Sequence, residues 1–180
     1  CTVTKKIIVF TPAWGEYAKD FVKYVKPTYQ KDFDRLAKEG WEIERVELGF
    51  DLDKTHTKYM ITILRGLVVK AINEDALVFM AAPDIIFGEN TIYNMVKLAE
   101  NKPNANIAIP HIRIDKDAFK ASVDALEENG VEKKTYTNKE LVNLCFKFPH
   151  PSFNNAFDNM DINSTDCGIS IRKIDDIHYS

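Results

Sequence analysis

The sequence predicts an α/β domain with a mainly parallel central sheet flanked by helices. Three observations carry that prediction. Short continuous apolar runs, Lys6–Phe10, Ala76–Ala81 and Asn106–Ile109, read as strands buried on both faces. Stretches with helical spacing separate them, so the order is strand–helix–strand throughout. Each run also ends at a proline, which cannot donate to a ladder and turns the chain outward.

The elements follow in order. Lys6-Ile7-Ile8-Val9-Phe10 is the first strand, ending at Thr11-Pro12. Tyr17 to Lys38 is helical in pattern but interrupted near Pro27, which suits the first turn of a second helix. Gly40 closes it, and Trp41 to Leu48 alternates apolar and charged residues, a strand with one wet face near a sheet edge. Met60, Ile63, Leu64, Leu67 and Ala71 mark the next helix, stopped by Asn73-Glu74-Asp75. Ala76–Ala81 is the second buried strand, followed by Ala82-Pro83-Asp84. Asn90 is positioned to cap a helix with an Ile92, Met95, Val96 and Ala99 stripe. Asn106–Ile109 is the third buried strand, ending at Pro110. Asp115 caps a helix through about Asn129 with Phe119, Val123 and Leu126 facing inward. Thr137-Asn138-Lys139-Glu140 has the form of a capping box ahead of Leu141, Leu144 and Cys145. Phe148 to Asp166 is polar, aromatic and aperiodic, and a last alternating strand spans Gly168–Ile174.

Composition narrows the function. The chain of 180 residues suits one domain, and its net charge of −3 gives no general attraction to nucleic acid or anionic lipid. Seven glycines, none clustered, argue against the Gly-rich phosphate loops of nucleotide-binding proteins. The three cysteines are widely spaced with no C-x-x-C pair, which reads as incidental thiols in a reducing compartment. No apolar run is long enough to span a bilayer, and the opening residues lack a signal-peptide pattern. The expectation is a cytoplasmic protein with no membrane span and no nucleic-acid partner.

In open α/β sheets, ligands bind beyond the carboxyl ends of the strands. The residues after the three prolines are therefore the site candidates: Trp14-Gly15-Glu16-Tyr17, Asp84, and His111 with Arg113. Each has a plain structural alternative. Trp14 also reads as core, Glu16 as a first-turn carboxylate favoured by the helix dipole, and His111 and Arg113 as surface residues of a strand. Asp84 is hardest to explain by stability, since it follows six apolar residues, an alanine and a proline. An acid presented there suits a hard cation.

These residues resemble those of nucleotide-sugar-dependent glycosyltransferases with the GT-A fold, and a bacterial and phage group in particular. The stretch Leu77 to Ile92, with Pro83-Asp84-Ile85-Ile86-Phe87-Gly88 at its centre, is similar to that group's segment after the central strand. Phe10-Thr11-Pro12-Ala13-Trp14-Gly15-Glu16-Tyr17 resembles its "WGE-x-Y" opening. Pro27-Thr28-Tyr29, Ile109-Pro110-His111-Ile112-Arg113 and Gly168-Ile169-Ser170-Ile171-Arg172 resemble further motifs in the same order.

The resemblance implies a Rossmann-like GT-A architecture in one domain. About 1–114 would bind the nucleotide sugar, and about 115–180 would form a helical and irregular acceptor side with a late strand. It implies a transferase moving a sugar from a nucleoside diphosphate to a hydroxyl acceptor. Thr11, Pro12, Trp14, Gly15, Glu16, Tyr17, Pro83 and Arg113 would meet the donor, with Asp84 at the second acidic position of the D-x-D motif that holds Mn²⁺ or Mg²⁺. Ala82 replaces the first acid. His150, between Pro149 and Pro151, is the candidate second metal ligand, against a turn histidine held by its prolines. Asp166, from the cluster with Asp158 and Asp161, is the candidate base, against a solvated loop. His56 and His178 are given no role. The alternative function is a non-catalytic carbohydrate- or nucleotide-binding or assembly module of the same fold.

Overall fold

The computed structural model describes residues 5–48, 57–102, 106–109, 111–150 and 166–171. Cys1, His56, Pro110, Pro151, Asp158, Asp161, His178 and the stretch 172–174 of the expected last strand lie outside the described residues.

The molecule is an α/β protein. The first sheet has order β2-β1-β3, all parallel, from β1 (Lys6–Pro12), β2 (Glu42–Leu48) and β3 (Leu77–Met80). β1 lies between its partners, as its unbroken apolar run requires. Ile7 and Val9 join the main core with Phe33 and Leu36 of α2 (Lys26–Lys38). The alternate residues Ile8 and Phe10 are equally buried on the other face, where α3 (Thr57–Glu74) packs along β1 and β3. β2 is an edge strand, as its alternation predicts. β3 differs from the expectation of full burial: Leu77, Val78 and Phe79 are half-buried and Met80 is 44% exposed. Among the described residues it pairs with β1 along one side only, so it is an edge strand and less enclosed than β1, although Leu77 and Phe79 still pack against the main core.

Pro27 behaves as predicted, standing in the first turn of α2. The helix preceding it is not broken, however. α1 (Glu16–Asp20) runs into a π-helical stretch, Phe21–Val25, and on into α2. The π turn stands directly ahead of Pro27, where the proline's missing N–H and ring would otherwise disrupt an α-helical turn.

A second sheet, order β4-β6-β5, uses β4 (Ile85–Phe87), β5 (His111–Arg113) and β6 (Gly168–Ser170). β4 runs antiparallel to β6, and β5 parallel to it. Two expectations are corrected here. Residues 106–109 form no strand, with Asn106 and Ala108 exposed, and the strand begins instead at His111, where β6 offers a partner. The last strand, expected to alternate, is instead buried throughout from Gly168 to Ile171, flanked by β4 and β5 in its sheet and packed by the helix Asn138–Lys147.

The helices α4 (Thr91–Asn101), α5 (Lys116–Glu128) and α6 (Asn138–Lys147) complete the order. Asp115 caps α5 through Ala118 N–H, and Thr137 and Glu140 form the full capping box of α6, both as predicted. Leu126 faces outward rather than in. Asn90 stands at the start of α4 but its side chain does not cap. Asp32 of α2 does so from across the structure, its carboxylate accepting the Asn90 and Tyr93 N–H groups at 3.1 and 3.2 Å.

Candidate functional site

The turn that ends β3 is fixed from three directions. Ala81 N–H donates to Phe10 O at 2.9 Å, which carries the parallel pairing of β1 and β3 one residue further. Ile85 N–H then closes the Ala82-Pro83-Asp84 turn on Ala82 O at 3.4 Å. Asp84 O accepts from Ile171 N–H at 2.8 Å and hands the chain to the second sheet. Asp84 is therefore the junction between the two sheets, and its side chain is buried at 3% exposure.

Beneath this turn lies Tyr29, which in sequence stands out only as part of a helix start. Its hydroxyl hydrogen-bonds the carbonyls of Ile85 and Ala82, bracketing Asp84. The ring is 1% exposed, among Phe21, Phe33 and Phe87. Burial, reinforced by the charge of Asp84 and opposed by Arg45, pushes the phenol well above its ordinary pKa, so it stays a donor. The signal available in the sequence was a tyrosine on the apolar stripe shared with Phe33 and Leu36. A buried phenol needs a polar partner.

The loop after β1 lies beside the turn, because β1 and β3 are adjacent and parallel. Thr11 is buried and Pro12 is the last residue of β1, opposite Leu48. Gly15 has φ +58°, the left-handed region that favours glycine. Trp14 and Tyr17 are half-buried. Glu16 opens α1, and its carboxylate receives the Lys116 ammonium at 2.6 Å. Lys116, 5% exposed, also meets Asp20 at 3.0 Å, and Lys120 meets Asp20 at 2.8 Å. Burial works against the charge on Lys116, but Glu16 and Asp20 more than offset it and its pKa ends above the lysine norm. Glu16 thus anchors the loop to α5.

The second sheet sorts the remaining candidates by lane and by end. Ile85, Ser170 and Arg113 form one row across the three strands, which brings Arg113 to the Asp84 end. His111 stands in the row of Gly168 and Phe87, toward the opposite end. Ile114 bridges to Pro149, so His150 follows one lane beyond β5. At about 4.8 Å per lane, the backbones of Asp84 and His150 are roughly 14 Å apart. His150 is instead grouped with Arg113 and Asp115. Asp166 lies past Cys167, whose carbonyl accepts from Gly88 N–H at the far end of the β4–β6 ladder. Counting along β6 from Ile171, that is roughly 16 Å from the Asp84 end. Its carboxylate is engaged by the Thr91 hydroxyl at 3.1 Å and the Asn94 amide at 3.2 and 3.3 Å. The structure sets Thr11 and Pro12 beside Pro83 and Asp84, places Arg113 in the row of Ile85 two lanes away with His150 one lane further, and leaves Asp166 at the far end of the ladder.

His150 yields a pH prediction. Burial first, then the Arg113 charge, hold its imidazole below the ordinary value, with Asp115 opposing. The unfolded chain therefore takes the proton first on acidification. The contribution of His150 to stability is complete above about pH 6.5 and declines below it, toward the depressed folded pKa, by at most about 1.4 kcal/mol per pH unit. Urea unfolding between about pH 7.5 and 5.5 is expected to show this decline, and His150→Gln to flatten it. Equal slopes in the two proteins would contradict the assignment.

No group of three or more His, Cys, Asp or Glu among the described residues is placed to hold a metal ion. No helix among them is long and apolar enough to cross a membrane. Compared with protein-family models, curated protein sequences and solved structures, the chain matches none of them.

Proposed function

We propose that the edge formed by the β1 loop and the Ala82–Asp84 turn binds the diphosphate of a nucleotide sugar, and that the protein transfers the sugar to a hydroxyl acceptor. The observation carrying this reading is the Ala81–Phe10 hydrogen bond, which sets the two loops side by side at strand carboxyl ends. The parallel β2-β1-β3 order with a mixed second sheet after Asp84 supports a GT-A arrangement.

Each residue has a physical task. Trp14 and Tyr17 offer flat apolar faces for the donor base. Arg113 supplies fixed positive charge toward the diphosphate as it leaves. Asp84 is an acid of this turn of the kind a hard cation takes. One Mn²⁺ or Mg²⁺ fits such a place when diphosphate oxygens and water complete its shell, as is usual for Mg²⁺. The cation supplies charge neutralisation. Calorimetry with a panel of uridine and guanosine diphosphate sugars in the presence of Mn²⁺ is expected to show saturable binding. Asp84→Asn is expected to weaken it at least about tenfold, the effect of about 1.4 kcal/mol. No heat with any donor would remove the proposal.

A second reading, a binding or assembly module without chemistry, is favoured by two observations. Ala82 replaces an acid, and Asp166, the candidate base, is engaged at the other end of the ladder. Detectable hydrolysis of the bound sugar nucleotide would count against it.

A further inference from the structure

Away from the Asp84 edge, the π-helical stretch and the loop joining α5 to α6 enclose a cleft of about 190 Å³. Its apolar walls are Tyr24, Pro27, Val123 and Tyr136. Lys23 and Tyr24 come from the π turn itself, a form of backbone frequently found at functional sites. The size is decisive against a nucleotide: pockets for drug-sized ligands run from roughly 300 to 1,000 Å³.

The rim is charged but balanced. Lys23 meets Asp124 at 2.9 Å and Glu127 at 3.8 Å. Lys134 meets Glu132 at 3.2 Å, and Lys133 meets Glu140 at 2.5 Å. Every lysine lining the cleft has a carboxylate, and both lining glutamates have a lysine. An anion or a cation entering here would have to break one of these pairs or sit against a like charge. A neutral ligand rich in hydroxyls meets neither cost. It accepts from the ammonium groups and donates to the carboxylates while they remain paired, and such charge-assisted hydrogen bonds are the strong ones. The C–H face of a ring meets the tyrosine, proline and valine walls.

We infer that this cleft is a binding site for one neutral sugar ring, presented as a free monosaccharide or as the terminal residue of a glycan. The site shares no residue with the Asp84 edge, and it stands whether or not that edge binds a donor.

The test is a ¹H–¹⁵N titration of the full chain with glucose, galactose, mannose and N-acetylglucosamine, each to roughly 100 mM, far above a millimolar dissociation constant. Sodium pyrophosphate is titrated in parallel. At least one sugar is expected to give saturable shifts at the amides of Lys23, Tyr24 and residues 131–136, and pyrophosphate none there. The same shifts are expected in Asp84→Asn. Val123→Arg, which fills the cleft, is expected to abolish them. Because Val123 also touches the core, the exposed variant Lys134→Glu serves as a second check, with an expected weakening of about fivefold. No saturable shift with any of the four sugars, or shifts of these amides by pyrophosphate instead, would overturn the inference. Loss of sugar binding in Asp84→Asn would overturn its independence from the edge.

Discussion

Asp20→Leu is expected to destabilise the fold by about 3 kcal/mol, because removing one partner of a buried pair leaves the other charge uncompensated. Lys116 is 5% exposed and its ammonium has two carboxylate partners, of which Glu16 is on the surface. With leucine at 20, the ammonium keeps only the exposed one, and Lys120 loses its partner as well. The lowering should appear as a lower urea midpoint with an unchanged slope. Asp20→Leu combined with Lys116→Met removes both buried charges and is expected to recover most of the loss. A single variant within about 0.5 kcal/mol of the parent, the range of ordinary surface changes, would show that the pair is not stabilising in this way.

Tyr29→Ala should cost about 4 kcal/mol, the usual range for deleting a buried aromatic ring. The ring lies in edge contact with Phe21 and Phe33 and tilted against Phe87, so no neighbour collapses easily into its space. Tyr29→Phe separates packing from polarity. It keeps the ring and is expected to cost only about 1 kcal/mol. Its distinctive effect is local: without the hydroxyl on the Ala82 and Ile85 carbonyls, the Ile85 N–H should exchange with solvent faster than in the parent. Donor affinity, if the proposed function holds, should fall along with it. Unchanged exchange at Ile85 would remove Tyr29 from the positioning of Asp84.

Local chemistry explains which parts of this architecture the sequence reveals. β1, β2 and the caps of α5 and α6 are written in contiguous residues, so periodicity and spacing report them directly. The α4 cap is not: Asn90 has the right identity, but Asp32, distant in the chain, makes the bonds. The strand at His111 depends on β6, far away in sequence, and three residues carry too little pattern to announce it. The site divides in the same manner. Strand-end prolines point to Thr11, Pro12 and Asp84, whereas the separation of Asp166 from Asp84 follows from the antiparallel register of β4 and β6, a long-range property. In sequence, Glu16 fits a ligand contact or a first-turn acid. Its engagement by Lys116 rests on a partner 100 residues away, which no local pattern encodes.

The π-helical stretch Phe21–Val25 joins two halves of one continuous rod. Before it, Asp20 points to α5; after it, Asp32 points to α4. A π turn takes one residue more than an α turn for nearly the same rotation, so the stretch carries an extra residue while α1 and α2 stay in phase. Each residue of an α-helix advances about 100° around the axis, so deleting one residue from the α-helical part between Lys26 and Asp32 would swing the following partners by that angle, and the α4 cap would be aimed elsewhere. Deletion there should therefore be far less tolerable than deletion within the π stretch, which returns the rod to a plain α-helix, since what the rod stores is phase rather than contact.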